Sequence, residues 1–467
     1  MNPRSPSEKS IFCGPNMPVF MSLLLVGCGG RVILAGDAGT DAPQPLQAWS
    51  ITIGGDRDEW MRTVIEAPDG GYAAAGWTTS SGEGERDCFV VRLSARGDIL
   101  WQRSYGGPGR DEPRQIIPAS GGGFIVAGFT TSWGGGASDG WVFKIDADGN
   151  LLWQKALGSS GNDTIEAALE ASDGGTLLAG GADSSGTGSE ALWILMLATD
   201  GSVRWQKTYQ LDLSNQAYAL EQASDGGFVV AAQIAHSGLE NPDAWVMKID
   251  PSGDIAWQNS FGSDGKDLAA SITRVSDGGY VVAGWSDSFG NGTQDAWVIK
   301  LDGGGAVTWQ NVYDGGAMDW AEAVVRSADG GAIVAGGTGE PESGPWSAWI
   351  FKLDARGSIV WQKIYNGAAG GYALDLHPTS DGGTVSAAWA LSLHSWYDAW
   401  IIKTTGGGDI SDDCPPGFAE EFSARARPST AAAHASTVTP LAGTMQVLDT
   451  PAATAAISLV AKEDCRL

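Results

Sequence analysis

The sequence predicts an all-β fold, a seven-bladed β-propeller of four-stranded blades built on a 52-residue repeat. Three observations predict it. One tryptophan recurs at Trp49, Trp101, Trp153, Trp205, Trp257, Trp309 and Trp361, always 52 residues apart. The turn signal Asp-Gly-Gly begins at 69, 173, 225, 277, 329 and 381, with Gly-Gly-Gly at 121, in the same register. The two ends of the array are complementary, with a spare strand at one and a missing strand at the other. A fixed period of this length marks a repeat architecture, in which each unit buries its apolar faces against its neighbours.

The copy at 267–313 shows the elements in order. DLAASITRVS reads as a first strand, GYVVAGW as a second, AWVIKL as a third and AVTWQNVY as a fourth. Asp277-Gly278-Gly279 separates the first two, and its glycines supply the positive φ of a tight hairpin. Gly303-Gly304-Gly305 does the same before the fourth strand. The apolar runs alternate poorly, so each small sheet is expected to be covered on both faces. Tryptophans, each able to bury on the order of 150–250 Å², then fill the space between neighbouring sheets.

The ends close the ring. The strand around Trp49, AWSITIGG, has no first, second or third strand before it. The last copy, 372–404, has three strands, and its fourth is degraded to GGGDISDD. The N-terminal strand therefore completes the last blade and removes the open sheet edges. An open β-solenoid would leave this match of ends unexplained.

Composition narrows the function. Of 467 residues, 68 are glycine, about twice the usual share, and 21 are tryptophan. A hydrophobic content of 43% excludes disorder. The 28 Lys and Arg against 55 Asp and Glu give a net charge of −27. Such a surface repels phosphate backbones and anionic headgroups, which excludes nucleic acid as a partner class. It suits cationic partners and divalent ions, or simply solubility outside the cell.

Four segments are expected: a leader at 1–27, a tether at 28–47, the propeller at 48–405, and a small Ala/Thr/Pro-rich C-terminal appendix at 406–467. Arg4 and Lys9 precede MPVFMSLLLVG at 17–27, an apolar run too short to span a bilayer but suited to a signal-peptide core. Leu25-Val26-Gly27-Cys28 resembles a bacterial lipobox. The resemblance implies cleavage before Cys28 and lipidation of its thiol. Gly29, in place of aspartate, implies the outer membrane, with membrane contact only through the anchor. The competing reading is an ordinary secretion signal. Cys414 and Cys465 bracket the C-terminal segment, and export makes a disulfide between them the expectation. Cys88 stands alone in an apolar strand, where burial is expected.

KIDADGNLLWQK at 144–155 resembles the tryptophan-docking repeat of quinoprotein dehydrogenases and related propellers. Together with SDGGYVVAGW, the unit is more similar still to a set of secreted bacterial propellers. The resemblance covers 48–405 and implies the fold; a propeller hosts many activities. It does not carry over a quinoprotein site, whose vicinal cysteine pair has no counterpart here, so an oxidoreductase ranks last.

Equivalent positions can be read as rings. Glu59, Asp111, Asp163, Asp267 and Asp319 stand just before the first strand, with Asn215 and Gly371 completing the column. Five carboxylates at a channel mouth would suit a divalent cation, calcium by its taste for hard oxygen ligands. The alternative is that each binds the backbone of its own turn, which a structural repeat requires. Asp87, Asp139, Asp243, Asp295 and Asp398 open third strands, and Asp146, Asp250, Asp302 and Asp354 follow them; both sets read as turn caps. Arg62, Arg114, Glu166 and Glu322 occupy matching first-strand positions and break the symmetry, as a single site must.

Trp77, Phe129, Trp285 and Trp389 end second strands, and Trp133, Trp346 and Trp396 lie in the loops that follow. Aromatics there suit contact with a sugar ring or a protein partner, or packing between blades. No phosphate loop is present. The expected role is therefore a monomeric, non-catalytic binding or scaffolding module of the cell envelope, with an envelope protein or polysaccharide as partner. A polysaccharide-acting hydrolase or lyase is the alternative, resting on paired carboxylates.

Overall fold

The computed structural model describes residues 48–410, apart from the loop positions 184–185, 187, 189, 211–213, 236–241, 291–293, 316–317, 340–345, 368 and 392–396. It also gives the backbone of seven short strands between 419 and 466. The leader with Cys28, together with Trp396 and Cys414, lies outside the described residues, and so does the side chain of Cys465.

Seven blades are present, each a four-stranded antiparallel meander. Blade 1 runs through Glu59–Glu66, Tyr72–Thr78, Asp87–Leu93 and Ile99–Gly106. The same order repeats to blade 7, which has Gly371–Pro378, Thr384–Leu391 and Tyr397–Thr404. Its fourth strand is Trp49–Gly54, antiparallel to Tyr397–Thr404 with Trp49 opposite Lys403. The spare strand thus fills the vacancy that the sequence leaves in the last copy.

The core lies between blades. Seven apolar clusters each join one blade to the next, for example Trp49, Ile51, Phe89 and Ile401 around the closure. Third-strand tryptophans such as Trp141, Trp193 and Trp245 are fully buried. The 52-spaced tryptophans dock on the glycine turn of the following blade. A Cβ on Gly149, whose φ is +78°, would stand 2.9 Å from the Trp101 ring. Trp101 also donates its indole N–H to the Ala147 carbonyl at 3.0 Å. One residue therefore needs glycine twice, for its backbone and for its neighbour's ring. Tyr105 adds a hydroxyl bond to the Gly149 carbonyl at 2.6 Å.

The aspartates of the turns act as the sequence implies. Asp146 accepts from the amides of Asp148 and Asn150 at 3.0 and 2.8 Å. Asp277 accepts from the Gly279 amide at 2.8 Å and pairs with Lys300 of the third strand at 2.9 Å. Cys88 is buried and free, and burial pushes its thiol well above the usual range.

The C-terminal backbone has a placement that the sequence does not reveal. Its seven strands add one by one to the outermost strand of each blade, always antiparallel. Ala419–Glu421 pairs with Ile359–Tyr365 of blade 6, and Arg425–Pro428 with Val307–Asp314 of blade 5. The order continues backwards round the ring to Ala453–Ala456 on blade 1 and Val460–Arg466 on the closing strand. Each blade thereby gains a fifth strand along an otherwise open edge.

Candidate functional site

The first strands of all seven blades line a central channel, a cavity of about 780 Å³. Every one of them is interrupted by a β-bulge. In blade 1, Met61 pairs with Gly76 and Thr63 with Ala75, leaving Arg62 as the extra residue. The same shift leaves Arg114, Glu166, Tyr218, Ala270, Glu322 and Leu374 at 52-residue intervals. Bulges re-aim side chains and gather beside functional sites. The residue after the bulge links neighbouring blades: Gln115 Oε1 accepts from the Ala168 amide at 2.6 Å, and Asp375 Oδ2 accepts from the Val64 amide at 3.0 Å across the closure. The frame is regular, and the side chains on it are not.

One side of the bulge ring is charged. Arg114 Nε lies 3.0 Å from Glu166 Oε2. Glu112, two residues before Arg114, accepts from Arg86 at 2.8 Å and Arg110 at 2.7 Å. Burial opposes its ionisation, but these guanidinium bonds prevail and hold its carboxyl below the usual range. Phe129 lies beneath this group, with the Arg114 guanidinium 5.1 Å from its ring centre. Burial, and then the positive charge of Arg114, lower the pKa of Arg62. On the far side, Glu322 accepts from the Tyr372 hydroxyl at 2.7 Å, and burial raises its pKa. Tyr218 donates to Gln216 Oε1 at 3.2 Å within the ring.

The other side of the mouth is aromatic. Trp77 stacks on Trp60 at 5.5 Å and 19°, and Trp60 meets Trp389 at 5.5 Å. Trp389 lies parallel to Tyr372 at 6.0 Å, Tyr372 meets Trp320 edge-on at 5.9 Å, and Trp320 meets Trp285 at 6.2 Å. Tyr397, the first residue of the third strand of blade 7, and Trp346, just before the third strand of blade 6, pack against this row. The arc crosses blades 1, 7, 6 and 5. Trp77 and Tyr372 are buried within it, while Trp60, Trp285, Trp320, Trp346, Trp389 and Tyr397 keep part of their surface exposed. Arg86, 4.2 Å above the Trp77 ring, joins the aromatic and charged arcs.

The structure brings four of the sequence-selected aromatics together: Trp77, Trp285, Trp389 and Trp346. Phe129 belongs to the charged arc. Trp133 lies apart, packed on Trp141 at 5.9 Å. Sequence reading missed Trp60, Trp320, Tyr372 and Tyr397. Three of these share one column, two residues before the bulge, which reads Trp60, Glu112, Thr164, Gln216, Leu268, Trp320 and Tyr372 round the ring. Variation of this column from blade to blade, with aromatics at three of its positions, is the signal that would have found them.

The five acidic residues of the first-strand column do not line the channel. Each is fully buried in its own blade and holds a turn. Asp111 accepts from the Gly107 amide at 2.8 Å, from Ser132 at 2.6 Å and from Thr130. Glu59 accepts from the Gly55 amide at 2.6 Å, Asp163 from the Ser159 amide at 2.6 Å and Asp267 from the Ser263 amide at 3.0 Å. Burial raises the pKa of every one, and pushes Asp319 up to about 6. Asp87 is likewise pushed up to about 6 by burial, with Asp111 adding to the rise.

No protein-family model and no curated protein sequence matches the chain. Similar solved structures include Chaetomium thermophilum Sqt1 bound to the N-terminus of the ribosomal protein L10, at 12% identity and a TM-score of 0.46 over 75% of this chain and 98% of that one. Puromycin hydrolase is similar at 14% identity and 0.44, over 76% of this chain and 55% of that one. A glucose dehydrogenase is similar at 11% identity and 0.38, over 62% and 95%. Likeness at this level assigns neither a family nor a function to the chain; the site has to be read from its own residues.

Proposed function

We propose that this chain is a non-catalytic binding module of the cell envelope, and that its partner, an envelope protein or polysaccharide, docks on the channel mouth. The observation that carries this reading is the arc of partly exposed aromatics across four blades, continuous with an ordered set of Arg and Glu side chains. Large flat side chains held by one another lose little entropy on binding, and aromatic and arginine anchors supply most of the energy of typical interfaces. The lipobox-like Leu25-Val26-Gly27-Cys28 supports an outer-membrane anchor outside the cytoplasm. A photo-crosslinking amino acid at position 60 or 320, introduced in intact cells, is expected to give adducts, while the same group at position 133 gives none. Equal labelling at all three positions would remove the mouth as the site. Digestion of the adducts with protease or glycosidase sorts the two partner classes. Cys28→Ala is expected to leave the membrane fraction; its retention there would refute the anchor.

A second reading has one observation in its favour. Glu322 and Glu166 share the bulge ring in opposite environments, one with its pKa raised by burial and the other paired with Arg114. Unequal carboxyls are what acid and base roles in glycoside hydrolysis require. Release of reducing ends from an envelope polysaccharide, lost in Glu322→Gln, would establish it in place of simple binding.

A further inference from the structure

Blade 5 departs from the repeat at one buried position. Fourth strands end in Gly106, Gly158 and Gly262 in blades 1, 2 and 4, and the closing strand ends in Gly54. A Cβ on Gly158 would collide with oxygens of both Asp139 and Asp163, and one on Gly262 with those of Asp243 and Asp267. The glycine is therefore what lets an acid opening a third strand approach the first-strand acid of the next blade. Blade 5 carries Asp314 at this position. A third carboxylate enters the space, and oxygens of Asp295, Asp314 and Asp319 lie within 4.8 Å of one another, all three residues being buried.

A second observation concerns Asp319 alone. Its Oδ2 accepts from the Gly315 amide at 2.7 Å. Its Oδ1 is shielded from solvent and has no hydrogen-bond partner. The matching oxygen of Asp111 receives the Thr130 hydroxyl, and that of Glu59 receives Thr78 at 2.7 Å, while Asp163 Oδ1 shares the lack of a donor but has no third carboxylate beside it. A hard anionic oxygen is thus left without a donor, in a residue that belongs to the cluster. Burying such an atom is costly unless a charge or donor compensates it.

We propose that Asp295, Asp314 and Asp319 bind one divalent cation of the calcium type at the junction of blades 5 and 6. Calcium takes oxygen ligands in flexible geometry, which carboxylates from three separate strands can supply. The site borders the aromatic arc. Asp319 precedes Trp320, whose indole donates to Gln294 Oε1 at 2.9 Å, and the Asp319 amide donates to the Gln294 carbonyl at 2.8 Å. Gln294 in turn precedes Asp295. The cation therefore fixes both ends of the contact that holds Trp320.

The test is calorimetric titration of chelator-treated full-length protein with calcium chloride and, separately, magnesium chloride in physiological salt. Asp314→Gly, which restores the glycine found in blades 1, 2 and 4 and in the closing strand, and the near-isosteric Asp314→Asn are run beside it, with circular dichroism to confirm folding. The wild type is expected to bind one calcium per chain, to melt a few degrees higher with millimolar calcium, and to change its tryptophan emission. Both variants are expected to lose all three responses. Absence of calcium binding in the wild type overturns the proposal. So does unchanged stoichiometry and affinity in either folded variant, or saturable binding of magnesium without calcium. Partner binding at the mouth is measured separately, so failure of this site leaves the binding reading standing.

Discussion

Asp87 is a carboxyl whose cost can be measured. Its folded pKa of about 6 lies above the ordinary 3.8, because burial and Asp111 disfavour the charge. Between these values the folded state holds a proton that the unfolded state has released. Stability from this group is thus complete below about pH 4 and lost as pH rises through about 6. Asp87→Asn cannot titrate. Its stability relative to the wild type is expected to grow from pH 4 to pH 7.5, by on the order of 2–3 kcal/mol. Denaturant melts at the two pH values check this, and parallel pH slopes would refute it. Gly149 is a complementary case, with a φ of +78° and the Trp101 ring in the space a Cβ would need. Gly149→Ala is expected to cost about 1–3 kcal/mol, read from the same melts.

At the scale of the element, the first-strand bulge and the C-terminal strands stand furthest from what the sequence displays. The bulge residues were visible as a column that breaks symmetry, since Arg62, Arg114, Glu166 and Glu322 recur in register. That they line the channel depends on one unpaired residue per strand, and an insertion in a ladder leaves no mark in composition. Trp60, Trp320 and Tyr372 were hidden for the same reason, because apolar residues on a two-sided strand read as core. The C-terminal segment is different, since short alternating runs such as TMQVLD suggest a few strands there while their pairing was hidden. Several of these strands are only three or four residues long and rich in alanine, with little strand preference of their own, and the open edge of each blade supplies the partner. Ending the chain at residue 410 is expected to leave the propeller folded by circular dichroism while lowering its melting temperature and promoting self-association through seven bare edges. A truncated chain that stays monomeric at the wild-type melting temperature would contradict this role.

At the scale of the molecule, the blade count, the strand order and the closure were legible because seven copies repeat each signal. A local ambiguity in one copy is settled by the same column in another. The spare strand at Trp49 and the missing one after Thr404 predict the closure, and Trp49–Gly54 pairs with Tyr397–Thr404. Repetition also explains why function was harder to read. The acidic column that looked most like a site is regular because turns need it, whereas the mouth is built from positions that differ between blades. A mixed rim of aromatics and ion pairs on a rigid ring is the central claim, and it concerns binding. The most direct measurement is the dissociation constant of the partner recovered by crosslinking at position 60, for the wild type and for Trp60→Ala with Trp320→Ala. Removing two anchors is expected to weaken binding by about 30-fold or more, with the fold intact. An unchanged constant in the folded double variant would contradict the claim that the aromatic mouth is where this protein binds.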